Sequence, residues 1–258
     1  MAHRSPTLPE LIDLDFGDFA EDLPLYEQLA RRCEGPILEL GVGTGRVALR
    51  LAQLGHEVWG IDKSAAMLER ARSKAAPDII SRLHLEQADM RDFALEQKFG
   101  LVFAGFGGFD HLLSPDDQAR CLQRVYHHLV PGGLFVCDLR PLLHNSWELG
   151  DSVPIFHDWT RELPDESMTV IKTHSVRADA ARQCQRQTNI YDCLSADGQI
   201  RRIIDEVDLR FTTRYEMEGL LRDAELEFEQ IYGDYDLGPY DNTSEYMITI
   251  ARRPEERS

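Results

Sequence analysis

Long apolar runs are missing from this chain of 258 residues, and none approaches the roughly 20 residues that a membrane-crossing helix needs. Basic residues are scarce as well. The 28 Lys and Arg stand against 45 Asp and Glu, a formal net charge of −17. A polyanion meets such a field as repulsion unless a strong basic patch offsets it. Arg31-Arg32, Arg201-Arg202 and Arg252-Arg253 are pairs, not runs. Neither nucleic acid nor a membrane is therefore expected as a partner. Cysteine is sparse: Cys33, Cys121, Cys137, Cys184 and Cys193 make an odd set of 5 with no Cys-x-x-Cys pair. That argues against a disulfide framework and against a zinc site, so no metal is expected. The first ten residues have no signal-like apolar core, and a cytoplasmic protein is expected.

What is present is alternation. Apolar runs at Pro36–Leu40, Glu57–Ile61, Leu83–Glu86, Gly100–Ala104 and Leu134–Leu139 read as strands. Helix-period patterns at Thr44–Leu54, Ser64–Lys74 and Pro115–Leu129 separate several of them. Strand–helix alternation with near-continuous apolar strands predicts a parallel sheet covered on both faces. Before it, an acidic and aromatic lead (Leu11–Ala20) precedes a helix at Asp22–Arg32, with Asp22 as N-cap and Pro24 in the first turn. After Arg140 the character changes. The stretch His144–Asp165 has no clear period, and three extended segments follow, Met168–Val176, Gln183–Cys193 and Gln199–Thr212. Ser195-Ala196-Asp197-Gly198 is a hairpin signal between the last two. A helix (Tyr215–Ala224) and two strands (Phe228–Tyr232, Glu245–Ala251) close the frame. The expected organisation is an N-terminal helical cap (1–35), a cofactor-binding α/β core (36–139), an inserted antiparallel β subdomain or lid (140–212), and the C-terminal part of the core (213–258).

The chemistry concentrates at strand ends. Glu39-Leu40-Gly41-Val42-Gly43-Thr44-Gly45-Arg46 follows the first strand as a glycine turn opening a helix, a place where backbone N–H groups favour a polar ligand. Asp62 closes the second strand, about twenty residues on, where an acid accepts hydrogen bonds from ribose hydroxyls. Asp89-Met90 follows the third, offering a carboxylate to an exocyclic amine and a thioether to an aromatic face. Together these describe a pocket for an adenosine-containing ligand. A nicotinamide dinucleotide would want a glycine where Arg46 stands, and no Tyr-x-x-x-Lys pair is present.

This spacing resembles the class I S-adenosylmethionine-dependent methyltransferases of the small-molecule, methyltransferase-domain-25-like type. The matching stretches are Leu38–Arg46, Gly60–Ser64 with Met67-Leu68, Ala88–Met90, and Leu129–Gly133. The resemblance implies a Rossmann-like sheet of seven strands, the last antiparallel, flanked by helices, with S-adenosyl-L-methionine as cofactor. It implies that Glu39, Gly41, Gly43 and Gly45 face the methionine part, and that Arg46 and Tyr26 are candidates for its carboxylate. Asp62, with Lys63 and Met67 beside it, would serve the ribose, and Asp89 and Met90 the adenine. Gly105 and Phe106 would lie beside the cofactor.

His111, in Gly107–Leu113 just after the fourth strand, is the candidate base. That loop resembles those of small-molecule N- and O-methyltransferases, amino-sugar N-methyltransferases among them, and lacks the Asn/Asp-Pro-Pro-Tyr/Phe signature of enzymes acting on planar amide or nucleobase nitrogens. Weaker candidates for acceptor contacts are Phe16, Phe19, Trp159, His174, Tyr191 and Arg210. The expected activity is methyl transfer to an N or O nucleophile of a small molecule, by a monomer or homodimer. The alternatives are a non-catalytic donor-binding regulator and an NAD(P)-dependent oxidoreductase.

Overall fold

The computed structural model describes residues 5–140, 154–165 and 168–255. In chain order the first elements are α1 (Leu8–Phe16), α2 (Leu23–Arg32), β1 (Ile37–Leu40), α3 (Arg46–Gln53), β2 (Val58–Asp62), α4 (Ala65–Lys74), β3 (Leu83–Gln87), β4 (Phe99–Ala104) and α5 (Pro115–His128). Then come β5 (Leu129–Leu139), β6 (Phe156–Glu162), β7 (Met168–Asp179), β8 (Cys184–Ser195), β9 (Ile200–Arg210), α6 (Arg214–Asp223), β10 (Glu227–Tyr232) and β11 (Met247–Arg252).

Seven strands form one sheet in the order β10-β11-β5-β4-β1-β2-β3. β1 pairs parallel with β2 (Ile37↔Val58) and with β4 (Ile37↔Leu101). The last strand, β11, is antiparallel to both neighbours, meeting β5 at Met247↔Leu139 and β10 at Phe228↔Ala251. The expected sheet and its reversed last strand are therefore present. Side chains alternate between two cores, as the strand period of two requires. Leu38, Leu40, Val102, Phe135 and Cys137 pack with Leu122 and Val125 of α5 and with Leu221 of α6. Ile37, Leu101, Phe103 and Val136 pack on the other face with Leu29 of α2 and Leu51 of α3. All six residues of β4 are buried, which explains its unbroken apolar run. Strand order reverses between β1 and β4, the position where doubly wound sheets open a crevice for ligands.

The second sheet is antiparallel throughout, β6-β7-β8-β9. Its β8–β9 hairpin turns at Gly198 (φ +84°), with the Gly198 N–H donating to the Ser195 carbonyl at 2.9 Å. β6 was not legible in the aperiodic stretch His144–Asp165. Residues 144–153 of that stretch lie outside the described residues. α1 was missed too, because its Asp13, Asp15 and Phe16 obscure an apolar spacing of Leu8, Leu11 and Leu14 that packs together in one cluster. The chain divides into two compact units, Met1–Asp18 with Leu142–Phe211, and Phe19–Pro141 with Thr212–Ser258.

Candidate functional site

The glycine turn is shaped by its neighbours in the sheet. Gly41 N–H and Val42 N–H both donate to the Ile61 carbonyl at 2.9 Å, drawing the turn over the end of β2. Gly41, Gly43 and Gly45 have φ of +72°, +53° and +83°, a region that side chains enter only at a cost. Gly45 is the residue before α3, so the helix begins at Arg46. Asp62 closes the turn from the other side. Its Oδ2 accepts the Gly43 N–H at 2.9 Å and its Oδ1 the Ser64 N–H at 2.8 Å. A Cβ on Gly41 would sit 3.5 Å from Met90 Cε, which brings the turn after β3 against the turn after β1.

Glu39 is 6% exposed, and its Oε2 has no hydrogen-bond partner among the described residues. Burial pushes its carboxyl up to about 8, although the Arg46 guanidinium pulls the other way. A buried carboxyl with one oxygen unpartnered, at the root of a glycine turn, has room for a further hydrogen-bonding group.

Arg46 and Tyr26 have partners of their own. Arg46 forms a two-pronged pair with Asp22 (2.6 and 2.5 Å) and donates to the Phe19 carbonyl at 2.8 Å. Its guanidinium carbon lies 5.1 Å from the Phe19 ring centre and 5.4 Å from that of Phe106. Asp22 precedes α2 as expected, but its side chain makes no capping bond, because the fully buried carboxylate is given to Arg46. Tyr26 is 0% exposed, and its hydroxyl donates to Asp138 Oδ2 at 3.2 Å.

The chain leaves β4 through two successive left-handed residues, Phe106 (φ +55°) and Gly107 (φ +69°). For Phe106 that conformation costs on the order of 1–3 kcal/mol and persists only where the surroundings impose it. A tight helical turn, Gly108–His111, follows. It leaves His111 exposed and Asp110 buried, with Asp110 Oδ1 unpartnered among the described residues. Burial raises the Asp110 carboxyl well above its ordinary range. Asp138, near the end of β5, is 1% exposed and accepts from Gly107 N–H at 2.8 Å and Tyr235 O–H at 2.6 Å, besides Tyr26. A Cβ on Gly108 would lie 3.4 Å from the Leu40 carbonyl, so the turns after β1 and β4 face each other across the reversal of strand order.

The remaining candidates divide. Asp89 is chelated by Arg91 (2.9 and 2.6 Å), a pairing that holds its carboxyl below the usual range, so an incoming amine would share those oxygens. Met90 packs against the core and Met67 begins α4. Lys63 is exposed, and its carbonyl accepts from the Gln87 side chain. Phe19 lies against Phe106 with ring centres 5.0 Å apart. In the other unit, four weaker candidates gather around one buried ion pair. Lys172 Nζ meets Asp15 at 2.5 Å and lies 5.1 Å from the Phe16 ring centre. Tyr191 and Trp159 donate to the two oxygens of Asp15 at 3.1 and 2.8 Å. His174 meets Asp158 at 2.5 Å, and Asp158 also meets Lys172 at 3.2 Å. Arg210 stands apart and donates to Gln183 and Phe211.

Asp138, Tyr235 and the Asp15–Lys172 pair escaped the sequence reading. For Asp138 there was a signal: a single acid late in an apolar strand, the same arrangement as Glu39 and Asp62. For the ion pair there was none, since 156 residues separate its partners.

The glycine turn at the reversal of strand order and the acids at successive strand ends are the arrangement of a nucleoside-binding α/β protein. The comparisons carry this one step further. A methyltransferase domain family matches residues 37–133. The dTDP-3-amino-3,6-dideoxy-alpha-D-glucopyranose N,N-dimethyltransferase of Streptomyces fradiae is 30% identical over 155 residues, 54% of this chain and 59% of that protein. The CcbJ methyltransferase of Streptomyces caelestis has a similar structure, with a TM-score of 0.75, 29% identity, and coverage of 91% of this chain and 90% of that one. The sugar N-methyltransferase KedS8 of a Streptoalloteichus species shares the fold at 23% identity and a TM-score of 0.75, covering 99% and 97% of the two chains. The chain spans only a little over half the length of the first curated relatives it matches. Residues 37–133 are thus similar to a methyltransferase domain, and the fold around them is shared with S-adenosylmethionine-dependent methyltransferases. Among the described residues no helix is long and apolar enough to cross a membrane.

Proposed function

We propose that this protein transfers the methyl group of S-adenosylmethionine to an N or O nucleophile of a small molecule. One observation carries the donor side: the buried Glu39 carboxyl, whose Oε2 has no hydrogen-bond partner among the described residues, beneath a glycine turn whose backbone is left bare of side chains. The donor's ammonium is the group that such a carboxyl lacks. Gly41, Gly43 and Gly45 let the backbone approach the donor, Asp62 offers its free lone pairs to ribose hydroxyls, and Asp89 with Met90 borders the adenine. Gly105 and Phe106 form the wall from β4. Arg46 is assigned to Asp22 and Tyr26 to Asp138, so both shape the pocket walls rather than take the donor's carboxylate. When bound, the donor supplies an electrophilic methyl group, and alignment of nucleophile, methyl and sulfur in line supplies much of the rate.

The exposed imidazole of His111, directly after the β4 turn, is the group assigned to take the acceptor's proton. The amino-sugar and sugar N-methyltransferases among the similar proteins favour an amine acceptor. Incubating the protein with methyl-labelled donor and a panel of amines and alcohols tests the reading. Transfer of label to an amine supports it, and label reaching neither class would count against it. His111→Ala is expected to lower turnover at least tenfold while S-adenosylhomocysteine still binds as to the wild type, since general-base contributions run from about 100- to 10,000-fold. Undiminished turnover would remove His111 from the chemistry.

A further inference from the structure

We infer that Asp138 is a positioning residue for the donor pocket, fixing the β4 wall and tying it through Tyr235 to the β10–β11 connection. The inference rests on the donor reading above and adds to it a residue that no part of the glycine-turn pattern contains.

Asp138 collects donors from three distant parts of the chain onto one carboxylate. Gly107 N–H gives to Oδ1 at 2.8 Å, and Tyr26 and Tyr235 both give to Oδ2, at 3.2 and 2.6 Å. Burial raises the Asp138 carboxyl above its ordinary range, and the bonds from Tyr235, Gly107 and the Phe106 amide work against that shift. An ionised carboxylate has about four lone-pair sites, so these donors nearly saturate it, and little capacity remains for a ligand. Its work is therefore done through what it holds. What it holds is the Phe106–Gly107 turn, whose two left-handed residues need an external partner to stay in place. The other end of the network is equally constrained. The Tyr26 hydroxyl lies 3.1 Å from where a Cβ on Gly105 would be, so it presses on the wall residue next to Phe106. Tyr235 is 8% exposed and sits between Tyr246 (ring centres 4.5 Å apart) and Phe19 (6.0 Å), and Phe19 in turn touches Phe106. A displacement of Tyr235 thus reaches the wall twice, once through Asp138 and once through Phe19.

Three variants test this by calorimetry with S-adenosylhomocysteine. Asp138→Asn keeps size but places an N–H group against donors, and is expected to weaken binding about tenfold or more. Tyr235→Phe removes one donor and should weaken it about threefold. The double variant is expected to bind no worse than Asp138→Asn alone, because both changes break one network. Amide exchange at Gly107 should accelerate in Asp138→Asn. Leu221→Ala, a cavity in α6 away from the pocket, serves as the stability control and should leave affinity unchanged. Wild-type affinity in both Asp138→Asn and Tyr235→Phe would overturn the inference, as would additive losses or an equal loss in Leu221→Ala. If the wild type itself does not bind S-adenosylhomocysteine, the donor reading falls and takes this one with it, a result distinguishable from all the others.

Discussion

Acidic side chains are used in two ways, and the α/β unit holds both, since Asp22 faces Arg46 and Asp89 faces Arg91 while other acids hold backbone. In the α/β unit, Asp62 and Asp138 accept backbone N–H groups, Gly43 and Ser64 for the first and Gly107 for the second. In the other unit, Asp15 of α1 faces buried Lys172, and within the insert Asp192 faces Arg202 and Asp208 faces Arg186. A carboxylate bonded to the backbone fixes the path of a turn and so the shape of a pocket. A carboxylate paired with a lysine or arginine fixes which strands and helices lie together. The first use belongs to binding, the second to assembly. Substitutions should therefore separate into those that change donor affinity and those that change stability.

The largest effect is expected at Lys172. Its side chain is 5% exposed and its partner Asp15 4%, so removing the ammonium leaves a buried carboxylate supported, among the described residues, by Tyr191 and Trp159. Breaking such a pair costs about 3–5 kcal/mol, more than the pair itself is worth, because the remaining charge has no compensation. Lys172→Met should lower the free energy of unfolding of the unit that holds it by that order, read from urea titration, while S-adenosylhomocysteine binds the α/β unit as before. A stable variant would mean that the tyrosine and tryptophan alone satisfy Asp15. Next comes Asp62→Ala, which frees the Gly43 and Ser64 amides. With hydrogen bonds to a charged group worth about 1.5–3 kcal/mol each, donor affinity should fall roughly tenfold to a hundredfold at modest cost in stability. Unchanged affinity in calorimetry would move Asp62 from the binding group to the structural one.

The same division explains what the sequence disclosed. Bonds from a carboxylate to the backbone of the turn beside it leave a local signature: glycines at fixed spacing, an acid at the end of an apolar strand, a helix cap. Glu39, Gly41–Gly45 and Asp62 were legible for that reason, and so was the order of the strands around them. Arg46 and Tyr26 fall in legible positions, yet burial chose their partners, Asp22 and Asp138, from elsewhere in the chain. The insert was legible as antiparallel strands by the alternation of Ile203, Val207 and Leu209 with charged residues. Its ion pairs depend on register, such as Asp192↔Arg202 and Arg186↔Asp208, and register is a product of the whole hairpin. β6 has neither alternation nor burial to mark it, with most of its residues exposed.

Glu39, also in the α/β unit, follows neither pattern, since its Oε2 accepts from no group among the described residues. Its carboxyl is raised from about 4.5 to about 8 by burial. Between those values the folded protein carries a proton that the unfolded chain has lost. Stability without the donor is therefore full below the ordinary carboxylate range and declines as pH rises toward about 8, by at most about 1.4 kcal/mol per pH unit. Urea midpoints at pH 5.5 and 7.5 should fall in the wild type and change less in Glu39→Gln, which stays neutral. Parallel slopes would show that Glu39 already finds a partner. The donor's ammonium should reverse the preference and expel the proton, which calorimetry in buffers of different ionisation enthalpy reads directly.

The smallest effect is expected at the insert's surface, where the contrast with Lys172 is purely one of exposure. Arg202 meets Asp192 through two bonds at 2.8 Å, a geometry as good as that of Arg46 with Asp22. Yet the Arg202 side chain is 58% exposed where Lys172 is 5%. Water already solvates both charges there, so forming the pair gains little and losing it strands nothing. Arg202→Ala should leave the urea midpoint and the donor affinity within measurement error, and raising the salt concentration should change the wild type as little. A clear loss of stability would mean that β8–β9 register depends on its surface ladder, and that the division between binding acids and assembling acids must be drawn by strand pairing and not by burial.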